Sequence, residues 1–98
     1  MPKIPVELRY SNKFIEMVHR LMSEQPEAIG SLGVAVSKLG GYPDTGLELE
    51  PYRNTGRHFK LMFHPGLVIT LSRESVREAG GSKKLTTVVF NLLTIQRL

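Results

Sequence analysis

The chain contains no cysteine among its 98 residues. Disulfides and thiolate metal sites are therefore excluded, and a cytoplasmic location is expected. No apolar run approaches the roughly 20 residues needed to span a bilayer. The opening residues MPKIPVELRY lack the apolar stretch of a signal peptide, so no membrane partner is expected. There is no His-Glu-x-x-His and no carboxylate cluster, so no metal and no cofactor is expected. Acidic residues are also scarce in the second half. Residues 53–98 hold two Asp/Glu against eight Lys/Arg, for +6, whereas residues 1–52 hold seven against five, for −2. That asymmetry points to a polyanionic partner, RNA first and DNA second.

What is present fits one soluble globular domain over 1–98, with 41% hydrophobic and 22% charged residues. The clearest pattern is alternation. His58, Lys60, Met62 and His64 alternate with Phe59, Leu61 and Phe63, and successive side chains of a strand point to opposite faces. Leu67, Ile69 and Leu71 alternate in the same way with Val68, Thr70 and Ser72. His64-Pro65-Gly66 joins the two runs as a turn. A hairpin with an apolar back and a basic, histidine-bearing front is expected. Leu47 and Leu49 alternate with Glu48 and Glu50, adding a strand before the turn Arg53-Asn54-Thr55-Gly56.

Helices are expected on either side of these strands. Phe14, Ile15, Val18, Leu21 and Met22 recur at helical spacing over roughly 12–24, capped by Ser11 or Asn12. His19 sits beside that stripe as an edge-of-core or exposed residue. Pro26 opens a second helix, with Ile29, Leu32, Val36 and Leu39 on one side and Gly40-Gly41 at its end. Gly30 and Gly33 are read as a close packing point or a backbone contact. Ile4, Val6, Leu8 and Tyr10 suit a short strand or arm, limited to an edge by Pro2 and Pro5. Residues 73–82 read as a polar, mobile segment. A last helix is expected after Ser82, from Leu85, Val88, Val89, Leu92 and Gln96, although the β-branched run Thr86 to Val89 also suits a strand. The expected fold is α+β, with helices packed on one face of a three-stranded antiparallel sheet. Residues 1–25 would be an arm and helix added to an α-β-β-β-α core over 26–98.

The helix ending Lys38-Leu39-Gly40-Gly41-Tyr42, the strands around Gly56-Arg57-His58 and a last helix together resemble the HicA family. Those are small bacterial toxins of toxin–antitoxin pairs with a double-stranded-RNA-binding-type fold. Gly56 and His58 match the family's Gly-x-His, whose histidine is implicated in cutting messenger RNA. Arg57 stands where a small polar residue is commoner, and Thr70-Leu71-Ser72-Arg73-Glu74 replaces a second basic segment. The opening strand and helices also resemble RelE/ParE-type toxins, which usually end in strands. The resemblance implies a metal-independent endoribonuclease acting on RNA, with an antitoxin as partner.

The chemistry agrees with that expectation. A histidine near neutrality exchanges protons with ribose and phosphate oxygens, and a cation stabilises charge developing on phosphorus. His58 is the catalytic candidate. Arg53, Arg57, Lys60, Arg73, Arg77, Lys83 and Lys84 are the phosphate-contact candidates, and Glu74, next to Arg73 in the chain, is the carboxylate candidate. His64, next to Pro65, reads as a turn residue. His58 and His64 would lie about 20 Å apart along one strand and cannot share an ion. The competing class is a non-enzymatic protein, of a kind phages and plasmids encode, that binds a host protein or DNA.

Overall fold

The computed structural model describes residues 5–42, 49–77 and 86–98. Strand β1 (Val6–Tyr10) leads into helices α1 (Asn12–Glu24) and α2 (Glu27–Gly40), and β2 (Glu50–Pro51), β3 (His58–His64), β4 (Leu67–Arg77) and β5 (Thr86–Arg97) follow. The strands form one sheet in the order β1-β5-β4-β3-β2. β1 runs parallel to β5, and every other pair is antiparallel.

Both helices lie on the same face of the sheet. Phe14 and Leu21 of α1 and Ala28, Leu32, Ala35 and Leu39 of α2 join Leu61, Ile69, Leu71, Phe90, Leu92 and Ile95 in one apolar core. The helical spacings expected for both elements hold. In α2 the deepest positions include the small residues Ala28 and Ala35, while Ile29 and Val36 sit half-buried at the margin. Of the six strand residues expected inside, Leu61, Leu67, Ile69 and Leu71 are buried, and Phe59 and Phe63 pack half-buried against the core.

Ser11 begins α1. Its Oγ accepts the Phe14 N–H at 3.0 Å and donates to the Leu93 carbonyl at 2.7 Å, so the cap also ties the helix to β5. Gly30 and Gly33 do not mark close packing, since a Cβ built at either meets nothing within 4 Å. Gly30→Ala is therefore expected to stabilise the fold by about 0.5–1 kcal/mol through helix propensity alone. A rise in the urea midpoint at unchanged slope checks this.

The expected last helix is a correction. Residues 86–97 are a strand, and that strand pairs with both β1 and β4 near the middle of the sheet. Over the described residues the sheet is thus five-stranded and mixed rather than three-stranded and antiparallel, and only the broader α+β class holds. The helix–three strands–helix order of the HicA-type fold is absent from the described residues. The misreading has a physical cause. A bulge between Thr70 and Leu71 of β4 and their partners leaves Leu93 as an extra residue in β5. Val88, Phe90 and Leu92 reach the core two apart, but the next core residue is Ile95, three further on. That interval imitates a helix. Leu85, Ser82 and the segment 78–81 lie outside the described residues, as does the first half of the strand expected over 47–50, of which Glu50 begins β2.

Candidate functional site

The loop before β3 is closed by its own backbone. The Tyr52 N–H donates to the His58 carbonyl at 2.8 Å. Within it Gly56 takes φ +71°, a left-handed conformation that glycine adopts without a Cβ clash, and Arg53 takes φ +64°. Thr55 Oγ1 accepts the N–H groups of Arg57 and His58, each at 3.2 Å, and lies 2.6 Å from His58 Nδ1. A hydroxyl folding back on the chain in this way is a local device that turn residues supply. It orients the His58 ring at the first position of β3.

From His58 the register carries a polar row straight across the sheet. His58 faces Ser72 of β4, Ser72 faces Asn91 of β5, and Asn91 faces Arg9 of β1. Ser72 Oγ accepts from Asn91 Nδ2 at 3.2 Å. Arg9 Nε donates to Glu7 Oε2 at 2.6 Å on an exposed edge. At about 4.8 Å per strand the row is about 14 Å long. It lies on the face opposite the helices, because the intervening residues Phe59, Leu71, Leu92 and Leu8 belong to the core or pack against it. Lys60, one step along the same face, is opposite Thr70 and Glu50. Its Nζ stands 4.0 Å from Glu50 Oε2. Glu50 is mostly exposed, and such pairs contribute little, so Lys60 keeps its freedom to meet a ligand. Glu74 shares this face and helps line a depression of about 420 Å³ with Arg9, Ser72 and Asn91.

Arg73 does not share the row. It faces the helix side, where its guanidinium donates to the Tyr42 hydroxyl at 2.9 Å and stacks 4.9 Å from the centre of the Phe59 ring. Tyr42 is in turn edge-on to Phe90 at 5.2 Å. Arg57 is exposed and lines a second depression, of about 510 Å³, with Gly56, Arg73 and Glu74. Arg53 lies over its neighbour Tyr52 at 5.3 Å. Arg77 ends β4, and Lys83 and Lys84 fall outside the described residues. Among the described residues no three His, Asp or Glu side chains converge as a metal site, and no helix is long and apolar enough to cross a membrane.

Reasoning from sequence missed Thr55, Ser72, Asn91 and Arg9. The turn around Thr55 carried a signal, because threonine just before a glycine turn often binds backbone. Asn91 was hidden inside the run read as a helix. A separate apolar groove of about 340 Å³ lies between the helices, lined by Phe14, Ile15, Val18, His19, Ile29 and Val36 among others. Tyr10, Ile15 and Val34 are large apolar side chains exposed on the helix side.

No family model matches the chain, and no curated protein matches it in sequence. Among solved structures it is similar to a YoeB/ParE toxin from Agrobacterium tumefaciens, with a TM-score of 0.65 and 8% identity, over 94% of this chain and 98% of that one. The likeness is one of fold. It favours the second of the two resemblances, the toxins that open with a strand and helices and end in strands, over the HicA type.

Proposed function

We propose that the chain is a toxin of a toxin–antitoxin pair that binds and cuts single-stranded RNA. The observation that carries this reading is the polar sheet face opposite the helices, where His58 and Lys60 stand side by side in the half of the chain that carries +6. The fold shared with a YoeB/ParE toxin supports the same reading. In the proposed reaction water takes the proton of the ribose 2′-hydroxyl as its oxygen attacks the adjacent phosphorus, the bond from phosphorus to the 5′-oxygen breaks, that oxygen takes a proton from water, and a cyclic phosphate forms. His58 meets the reacting phosphate, and the Lys60 ammonium offsets charge developing there. Those two side chains supply the electrostatics without a metal. Arg9 extends the cationic track along the row, and Arg57 adds an exposed cation in the loop before β3.

The experiment uses the purified chain, a short single-stranded RNA and a chelator. Cleavage is expected, and binding is expected to weaken steeply with salt, log K falling by roughly 0.7 per decade of salt for each phosphate contacted. Lys60, Arg9 and Arg57 together predict a slope near −2 on that scale. Expression in bacteria should arrest growth. No RNA binding even at low salt, with growth arrest retained, would instead favour a toxin acting on a protein target. The exposed apolar groove between α1 and α2 gives that second reading its support.

A further inference from the structure

We infer that Thr55 is a positioning residue that fixes the proton of neutral His58 on Nε2, so that His58 meets RNA as a hydrogen-bond donor to a phosphate oxygen and not as a base. The part concerning RNA rests on the function proposed above. The part concerning the proton rests on the loop alone.

A threonine hydroxyl has one hydrogen and two acceptor lone pairs. At Thr55 both lone pairs are engaged, by the N–H groups of Arg57 and His58. Its one hydrogen is then left for the third neighbour, His58 Nδ1, at 2.6 Å. Nδ1 must accept, so it carries a lone pair, and the proton of the neutral ring sits on Nε2. The other tautomer would require Oγ1 to accept three hydrogens at once. The arrangement belongs to the loop and not to a free rotor. The Tyr52 N–H to His58 carbonyl bond closes the loop, and the left-handed Gly56 turns the chain so that both N–H groups reach the same oxygen.

The consequence falls on the far side of the ring. Nε2 faces away from Thr55 and carries hydrogen, so it has no lone pair with which to take the 2′-hydroxyl proton. What it offers is an N–H, and the anionic acceptor that suits it is a non-bridging phosphodiester oxygen. Asn91 and Ser72 continue the row with further neutral polar groups.

The test is long-range proton–nitrogen NMR on the ¹⁵N-labelled full chain at about pH 8, above the ordinary imidazole range. His19 and His64 serve as internal references. Wild type and Thr55→Ser are expected to show His58 with a bare Nδ1 and a protonated Nε2. Thr55→Val, of similar shape but without the hydroxyl, should lose that bias and show averaged ring nitrogens. A wild-type ring protonated on Nδ1, or a Thr55→Val spectrum identical to wild type, overturns the assignment. The kinetic arm uses His58→Gln, whose amide supplies an N–H but cannot take up a proton. It should cleave within about tenfold of wild type, whereas removing the donor altogether in His58→Ala costs about 10²–10³-fold. A glutamine variant as slow as alanine refutes the donor role. If the wild type does not cleave, the functional reading fails, and the tautomer is still decided by the spectra.

Discussion

Replacing Phe90 with alanine should cost about 3–5 kcal/mol, the range for deleting a large aromatic side chain from a packed core. Phe90 is fully buried. It sits on β5 between Leu8 of β1 and Arg73 of β4, and its ring takes the edge of Tyr42. Its loss therefore opens a cavity and also removes the surface against which Tyr42 holds the Arg73 guanidinium. Domains of this size are stable by about 5–15 kcal/mol in total, so the variant should be close to unfolded at growth temperature. Urea titration should show a midpoint at least about 1 M lower than wild type, given slopes of a few kcal/mol per molar at most. Val34→Ala, at a residue 56% exposed on α2, is the control and should change stability by no more than about 0.5 kcal/mol. Equal midpoints for the two variants would show that β5 does not hold the centre of the core.

His58→Ala carries the other large effect, on rate rather than stability. The side chain is half-buried at the first position of β3 and outside the apolar core, so the urea midpoint should stay near wild type. Single-turnover RNA cleavage should slow about 10²–10³-fold, as when one preorganised donor to a developing anion is removed. Lys60→Ala should act differently. It removes a flexible cation beside a weak surface partner, so it should raise the RNA concentration needed for half-maximal rate and leave the maximal rate closer to wild type. In cells, His58→Ala should relieve growth arrest at an expression level where wild type is toxic. A variant that cleaves as fast as wild type would remove His58 from the chemistry, whatever its effect on binding.

The hairpin of β3 and β4 was legible because its two faces differ in chemistry, and alternation reports that difference residue by residue. The same pattern placed His58 and Lys60 together on the polar face. The helices were legible from their periodic apolar stripes and from Ser11. β5 was not, because the extra residue Leu93 shifts the phase of its inward side chains partway along. A period-two pattern with one inserted residue contains a spacing of three, and the eye takes it for a helix turn. The β-branched residues around Thr87 and Val88 were the better guide. The row from His58 to Arg9 was beyond reach for a different reason. Alternation says which face a residue takes and nothing about which strands become neighbours. Only the parallel pairing of the first strand with the last puts Arg9 opposite Asn91. Arg73 shows the same limit, since grouping it with His58 ignored the odd number of steps that separates it from Ser72, the partner of His58 across the sheet.

The placement of β5 bears on synthesis. β1 pairs with no described strand except β5, and Ser11 reaches Leu93 across 82 positions of sequence. While a ribosome is still making the chain, the β3–β4 hairpin can form and His58 can find Ser72. The strand that supplies Asn91 and docks Arg9 follows that hairpin in the chain and emerges after it. Contacts this distant in sequence also close slowly. The nascent chain therefore carries half of its polar row for as long as the exit tunnel holds β5. The polar row from His58 to Arg9 is thus complete only once β5 has joined the sheet between β4 and β1.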